Sequence, residues 1–357
     1  MRWVLLFAMV SAAARADEPA KLVEELLPRV TKVMGLPGPK HLSVKVLSRE
    51  QAEAWLRAEP DVDRQQRLGE ALLAVGLLPP GTKLEALAPD FNRQNVSGFY
   101  DLRTHTLVLL ADQSDEAQRP IVAHELAHAV QDANLELHAA LQARRGSEDA
   151  TLAFTAMLEG QAQATAALVM EQWLTDQHVT VEGMAGLLSD TAARSAAEAA
   201  AHAPVPWLGL QLSFPYVAGR ELIAQVSTPD DVIGRFLLKA PPASTAQVLS
   251  TRAAPPLERE LHLERLVPGA KKSVSTTLGR ANLELLGEDL GVGWRGDRLE
   301  AVRVRGKTIV TWSIAFETPA QAKQLSALVP GSLTRGTVVV ISSGASEAVR
   351  EAALRVF

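Results

Sequence analysis

His124 and His128 stand four residues apart, with Glu125 directly after the first of them. On a helix that spacing puts the two imidazoles on one face with Cβ atoms about 5 to 6 Å apart, close enough to share one zinc ion. Glu125 then points beside the ion, where its carboxylate can take a proton from a metal-activated water. A hydrolytic zinc normally has three protein ligands and one position for water, so the chain must supply a further donor. With no cysteine in the chain, only imidazole and carboxylate remain. The three-histidine version of this pattern needs a Gly and a third His where this chain has Gln131 and Asn134, and is excluded. Glu159 is the alternative. It sits in Leu158-Glu159-Gly160-Gln161-Ala162 among small and apolar residues, where an isolated carboxylate would be costly and a metal-bound one compensated. His138 is a rival third donor, although it lies beyond the expected end of the first helix.

The bland reading of the same residues is a pair of helix-surface histidines and a solvated glutamate. Asp132 and Asp149 are candidates to orient the ligand histidines, on helix position alone. Asp297 and Arg298 read as a structural ion pair or loop anchor. His41, His105, His178, His202 and His262 have no ligand-like spacing and read as surface residues.

Positioning these groups falls to two helices. From Pro120, which suits a first helical turn, to about Asn134, apolar residues recur at Ile121, Val122, Leu126, Ala129 and Val130, which predicts an amphipathic helix. A second runs from about Glu148 to Leu174, and an Ala-rich third over 181–202, ended by Pro204 and Pro206. Upstream, a helix over Ala20–Val33, a strand over His41–Leu47, a helix capped by Ser48 through about Ala58, and a hairpin over Gly98–Ala111 are expected. Residues 60–98 are mixed, with a break at Pro79-Pro80-Gly81. A shorter helix over Val217–Val226 follows Pro215, and the Pro/Ser/Thr stretch 241–256 is the candidate boundary. Beyond it, strands Leu299–Val304 and Thr308–Ala315 joined by Arg305-Gly306-Lys307, a helix Pro319–Leu328, a strand Val338–Ser342 and a helix Ala345–Val356 predict an α+β lobe.

The N-terminus carries a targeting pattern. Arg2 is followed by the apolar run Trp3–Val10 and the small-x-small site Ala14-Arg15-Ala16, so residues 1–16 read as a signal peptide and the mature chain as starting near Asp17. The run falls far short of the ~20 residues that span a bilayer, and no other segment could span one. The expected location is the periplasm or the exterior. A net charge of −5 without a basic stripe argues against nucleic acid as a partner. The partner expected is a peptide or protein substrate, and the sequence does not set the oligomeric state.

Several blocks together resemble a group of bacterial exported zincin-like proteins with a gluzincin-type Glu ligand. They are Gly98-Phe99-Tyr100-Asp101, the segment His124 to Asp132, Leu158-Glu159-Gly160 with Ala162, and Phe214-Pro215-Tyr216 with Gly219. Further on come Pro241-Pro242 with Ser244-Thr245 and Gln247-Val248-Leu249, and Gly293-Trp294 with Gly296-Asp297-Arg298. The resemblance covers about residues 95–317 and implies a zinc ion bound by His124, His128 and Glu159, with Glu125 as general base. The chain departs from the pattern at Gln161, where the family often has Asp, and at Ser250-Thr251, where it often has His-Pro. Tyr216 is the further candidate: a phenol near the metal could donate a hydrogen bond to the oxyanion formed on a peptide carbonyl, and its bland role is aromatic packing against the helix pair.

The expectation is therefore an α+β, zincin-like fold: a helix-rich catalytic core with a small N-terminal sheet over 17–255, and a C-terminal α+β region over 256–357 packed on it. The function expected is zinc-dependent peptide hydrolysis, against the alternatives of a catalytically silent zincin scaffold that binds metal or partners in the cell envelope and of a zinc hydrolase acting on a non-peptide amide.

Overall fold

The computed structural model describes residues 4–6, 19–57, 62–87, 98–111, 115–177 and 184–357. The cleavage site at 14–16, most of the predicted signal segment, and His178 lie outside the described residues. The fold is α+β, with two sheets and a helical centre.

The first sheet has the strand order β1 (Val4–Leu6), β3 (Gly98–Asp101), β4 (Thr106–Leu110), β2 (Ser43–Leu47). The expected hairpin is β3 and β4, antiparallel with Phe99 opposite Val108, whereas β2 runs parallel to β4. Every residue of β3 and β4 is buried, as expected of strands covered on both faces. Helices α1 (Pro19–Met34) and α2 (Arg49–Arg57) flank this sheet, and Ser48 caps α2 by accepting from the Gln51 backbone N–H at 3.2 Å. Helix α3 (Val62–Ala74), unpredicted within the mixed stretch, buries Leu68, Ala71 and Leu72. Its apolar face packs against the second sheet rather than the first.

Helix α4 (Asp115–Leu135) carries the histidine pair and starts earlier than expected, so Pro120 lies inside it. That residue forgoes one helical hydrogen bond near the helix start, where the loss is smallest. The amphipathic expectation is also corrected, since from Ile121 to Asp132 every residue is buried. α4 is wedged between β3 and β4, α1 and the long helix α6 (Glu148–Asp176), so no face is left for solvent. Helix α5 (Leu137–Arg144) follows, then α6 (Glu148–Asp176), capped by Ser147 through the Ala150 backbone N–H, and α7 (Met184–Ala201).

Helix α8 (Pro206–Val226) corrects a second expectation. It opens at Pro206 and runs through Pro215 without ending, so the segment is twice the predicted length. Burial on both sides of the proline, by Trp207, Leu208, Leu212, Leu222 and Ile223, offsets the lost hydrogen bond. Within the stretch 241–256 lies a short helix, α9 (Thr245–Leu249), whose Thr245, Ala246 and Val248 are buried.

The C-terminal region holds α10 (Leu263–Leu266), β5 (Lys271–Thr276), α11 (Gly279–Leu283), β6 (Trp294–Val304), β7 (Lys307–Phe316), α12 (Pro319–Leu328), β8 (Leu333–Arg335), β9 (Val338–Ser343) and α13 (Glu347–Ala353). The strands form an antiparallel sheet in the order β5-β6-β7-β9-β8. Arg305 and Gly306, both at positive φ, make the two-residue turn between β6 and β7 that the sequence indicated. One face of this sheet shares a core with α3 and the start of α8, through Trp312, Leu299, Leu72 and Trp207. Among the described residues, no helix is long and apolar enough to cross a membrane.

Candidate metal centre

Helices α4, α6 and α8 meet where the chemistry is expected. α6 and α8 approach closely because Gly160 and Gly219 face each other: a Cβ on Gly160 would overlap the Gly219 carbonyl, and a Cβ on Gly219 would overlap the Ala156 carbonyl. The two glycines flank the candidate groups, one residue after Glu159 and three after Tyr216. The crossing therefore delivers both side chains to the same spot.

Among the described residues, His124, His128 and Glu159 form the one group of three metal-ligating side chains whose donor atoms all lie within 4.8 Å of one another. His124 Nε2 lies 3.0 Å from Glu159 Oε2 and 3.0 Å from His128 Nε2, and His128 Nε2 lies 3.6 Å from Glu159 Oε2. Ligands at zinc bond lengths of 2.0–2.1 Å on a tetrahedron would be separated by about 3.3 Å. The donor set fits zinc in both chemistry and spacing. The rings of His124 and His128 stand edge to face at 84°.

Burial and charge set the protonation states in the protein without metal. Burial pushes His124 down to about 4, partly opposed by its hydrogen bond to Glu159. His128 is raised: burial disfavours its charge, but the Glu159 carboxylate outweighs it. For Glu159, burial is overcome by the His128 charge and by the hydrogen bond with His124, which bring it down to about 2. Glu125 goes the other way, up to about 8, because burial dominates. The Tyr100 backbone N–H favours its charged form, yet neither carboxylate oxygen makes a hydrogen bond of normal geometry. A buried carboxylate so weakly hydrogen-bonded is free to serve a reactant or a cation.

Tyr216 is buried, with its ring nearly parallel to His124 at a centroid separation of 6.5 Å. Burial, the Glu159 and Glu125 carboxylates and the interaction of its hydroxyl with Glu159 together hold its pKa well above the usual phenol value. The structure thus brings His124, Glu125, His128, Glu159 and Tyr216 into one cluster.

The candidates for orienting the histidines are corrected. Asp132 accepts from Tyr100 Oη at 2.9 Å, from the backbone N–H of Leu137 at 2.8 Å, and pairs with His105 Nδ1 at 2.9 Å. Asp149 accepts from the Thr245 backbone and hydroxyl. Neither contacts a ligand: their carboxylates point off the α4 and α6 faces that meet at the site. The residue that does orient one is Gln131, whose Oε1 lies 2.8 Å from His128 Nδ1. Its position three residues after His128, on the same helix face, was the available signal. His138 sits on α5, outside the cluster. Asp297 anchors a loop, as expected, and Arg298 bonds Glu260 rather than Asp297.

Residues 82–180 match the model of a protein family described as the IrrE N-terminal-like domain, Peptidase_M78. The match spans β3 to α6 and includes His124, Glu125, His128 and Glu159, while Tyr216 and the C-terminal sheet lie outside it. No curated protein and no solved structure matches the chain. The chain thus contains a zincin-like, peptidase-type segment with a buried group able to hold a metal ion.

Proposed function

We propose that this protein is a zinc-dependent peptidase of the gluzincin type, exported to the periplasm or beyond, with His124, His128 and Glu159 as ligands. The observation that carries the reading is the convergence of three donor atoms beside a buried carboxylate, Glu125, whose oxygens make no hydrogen bond of normal geometry. Zinc held there would supply Lewis acidity, polarising a peptide carbonyl and acidifying a water molecule. Glu125 accepts the proton of the attacking water on its carboxylate and delivers it to the departing amine. The Tyr216 hydroxyl donates to the oxygen that becomes negative in the tetrahedral state. Burial of the whole cluster excludes bulk water and strengthens each of these interactions.

The test is direct. Purified protein should contain one equivalent of zinc, His124→Ala should lose it, and cleavage of an unfolded protein substrate should stop with chelator and with Glu125→Gln. Zinc retained in full by His124→Ala would overturn the ligand assignment. Cell fractionation with N-terminal sequencing would support export by finding periplasmic or secreted protein that starts near Asp17; cytoplasmic protein starting at Met1 would contradict it.

The complete burial of His124, Glu125 and His128 also favours a second reading, a scaffold of the cell envelope that binds metal without hydrolysing peptides. Zinc binding with no cleavage across a peptide library would select it.

A further inference from the structure

Gln131 and Gln161 make a hydrogen-bonded chain that begins at a metal-site histidine and ends on backbone carbonyls. His128 Nδ1 is 2.8 Å from Gln131 Oε1. The amide nitrogen of Gln131 donates to the Leu158 carbonyl at 3.1 Å and to Gln161 Oε1 at 3.2 Å. Gln161 in turn donates through Nε2 to the Gly234 carbonyl at 3.1 Å. Both glutamines are fully buried, so each bond is made without competition from water.

The direction of this chain is set by chemistry. A backbone carbonyl can only accept. Gly234 therefore requires Gln161 to present its NH2 group, which turns Gln161 Oε1 toward Gln131. Leu158 and Gln161 then both require the NH2 group of Gln131, which turns Gln131 Oε1 toward His128. An oxygen facing Nδ1 requires a proton on Nδ1, so in the neutral ring Nε2 is left with its lone pair toward His124 and Glu159. Rotating either amide would set oxygen against oxygen in a buried site.

We propose that Gln131 and Gln161 are positioning residues that lock His128 into the Nδ1–H tautomer and aim its Nε2 at the metal. The chain also ties α4 to α6 beside Glu159, and α6 to the loop carrying Gly234, so two ligand-bearing helices share one polar clamp. A neutral amide does here what a carboxylate does in many zinc sites, without adding negative charge to the cluster. The proposal rests on the zinc reading for its purpose, but the tautomer of His128 exists with or without metal.

The experiment uses full-length protein carrying Gln131→Leu, Gln161→Leu or Gln161→Glu. Zinc affinity is measured by chelator competition, and the His128 tautomer by long-range 1H–15N correlation spectra at alkaline pH, where the ring is neutral. Gln131→Leu should weaken zinc binding about 10- to 100-fold and end the exclusive Nδ1–H form. Gln161→Leu should have a smaller effect, since the Leu158 carbonyl still holds Gln131. Gln161→Glu should keep the wild-type tautomer, because Glu still accepts from Gln131. Unchanged affinity and tautomer in Gln131→Leu would overturn the proposal, as would an Nε2–H ring in the wild type. If Gln131→Leu does not fold, the near-isosteric Gln131→Met is read in its place: loss of the exclusive Nδ1–H form supports the relay, and a retained exclusive Nδ1–H form overturns it. Wild-type protein that binds no zinc would defeat the metal reading alone; the metal-free spectra would still decide the relay.

Discussion

Two buried carboxylates, Glu125 on α4 and Asp297 on β6, are treated in opposite ways. Asp297 takes four donors: the backbone N–H groups of Leu278 and Gly279, and the indole N–H groups of Trp294 and Trp312, all at 2.8–3.0 Å. Every one is a fixed group, so Asp297 fastens the start of α11 to two strands of the C-terminal sheet. Glu125 has only the Tyr100 backbone N–H acting on it, and makes no hydrogen bond of normal geometry. Burial raises the pKa of both, and the difference lies in what offsets it. A saturated carboxylate is structural; one without well-formed hydrogen bonds is available for chemistry.

Replacing each by its amide should separate the two roles. Glu125→Gln is expected to cut peptide hydrolysis by about 10²- to 10⁴-fold while leaving the melting temperature of the metal-free protein unchanged or higher, as calorimetry would show. A marked loss of stability would place Glu125 with the structural carboxylates. Asp297→Asn keeps one acceptor oxygen but turns an NH2 group toward two buried donors, and should cost about 3–5 kcal/mol of stability in denaturant unfolding. Unfolding at the wild-type midpoint would refute the anchoring role.

Asp149, at the start of α6, sharpens the contrast as an intermediate case. Its Oδ1 accepts twice from Thr245, but Oδ2 has no partner, and burial with the nearby Asp297 charge raises its pKa to about 7. The folded pKa lies above the unfolded one, so the protonated form is favoured in the native state. Its stabilising contribution is full below about pH 4 and is lost as pH rises through 7. Asp149→Asn should remove this slope, gaining up to about 4 kcal/mol relative to wild type by pH 8. Melting curves from pH 4 to 8 that stay parallel for the two proteins would contradict it.

The smallest effect is expected at Tyr216. Tyr216→Phe should lower kcat by about 10²-fold or less, with zinc affinity nearly unchanged, because the lost hydroxyl contacts Glu159 but is not itself a ligand. An unchanged kcat would return Tyr216 to the role of an aromatic that packs beside His124.

Much of the framework was legible from the chain. α1, α6, the β3–β4 hairpin and α12 follow from apolar spacing and turn residues, and α12 begins at Pro319 after the Thr318 capping box. α3 was not legible, because its buried residues are few and face a sheet far along the sequence. β5 and β8 are short, and their pairing is decided by neighbours rather than by their own composition. α8 was cut short at Pro215, since local rules weigh the lost hydrogen bond but not the core contacts on either side.

By itself, the sequence determined the chemistry on offer: two imidazoles and a carboxylate at fixed spacing on one helix, because residues on a single helix need only the 3.6-residue period to be placed. It also supplied Glu159 as a donor with no local reason to be buried. Tertiary structure alone decided that α6 and α8 cross at Gly160 and Gly219, so that Glu159 and Tyr216 arrive together. It also decided that Gln131 orients His128 while Asp132 and Asp149 turn elsewhere. Those choices depend on which helix faces meet, and a facing residue is set by packing across many residues of chain, beyond the reach of any local pattern.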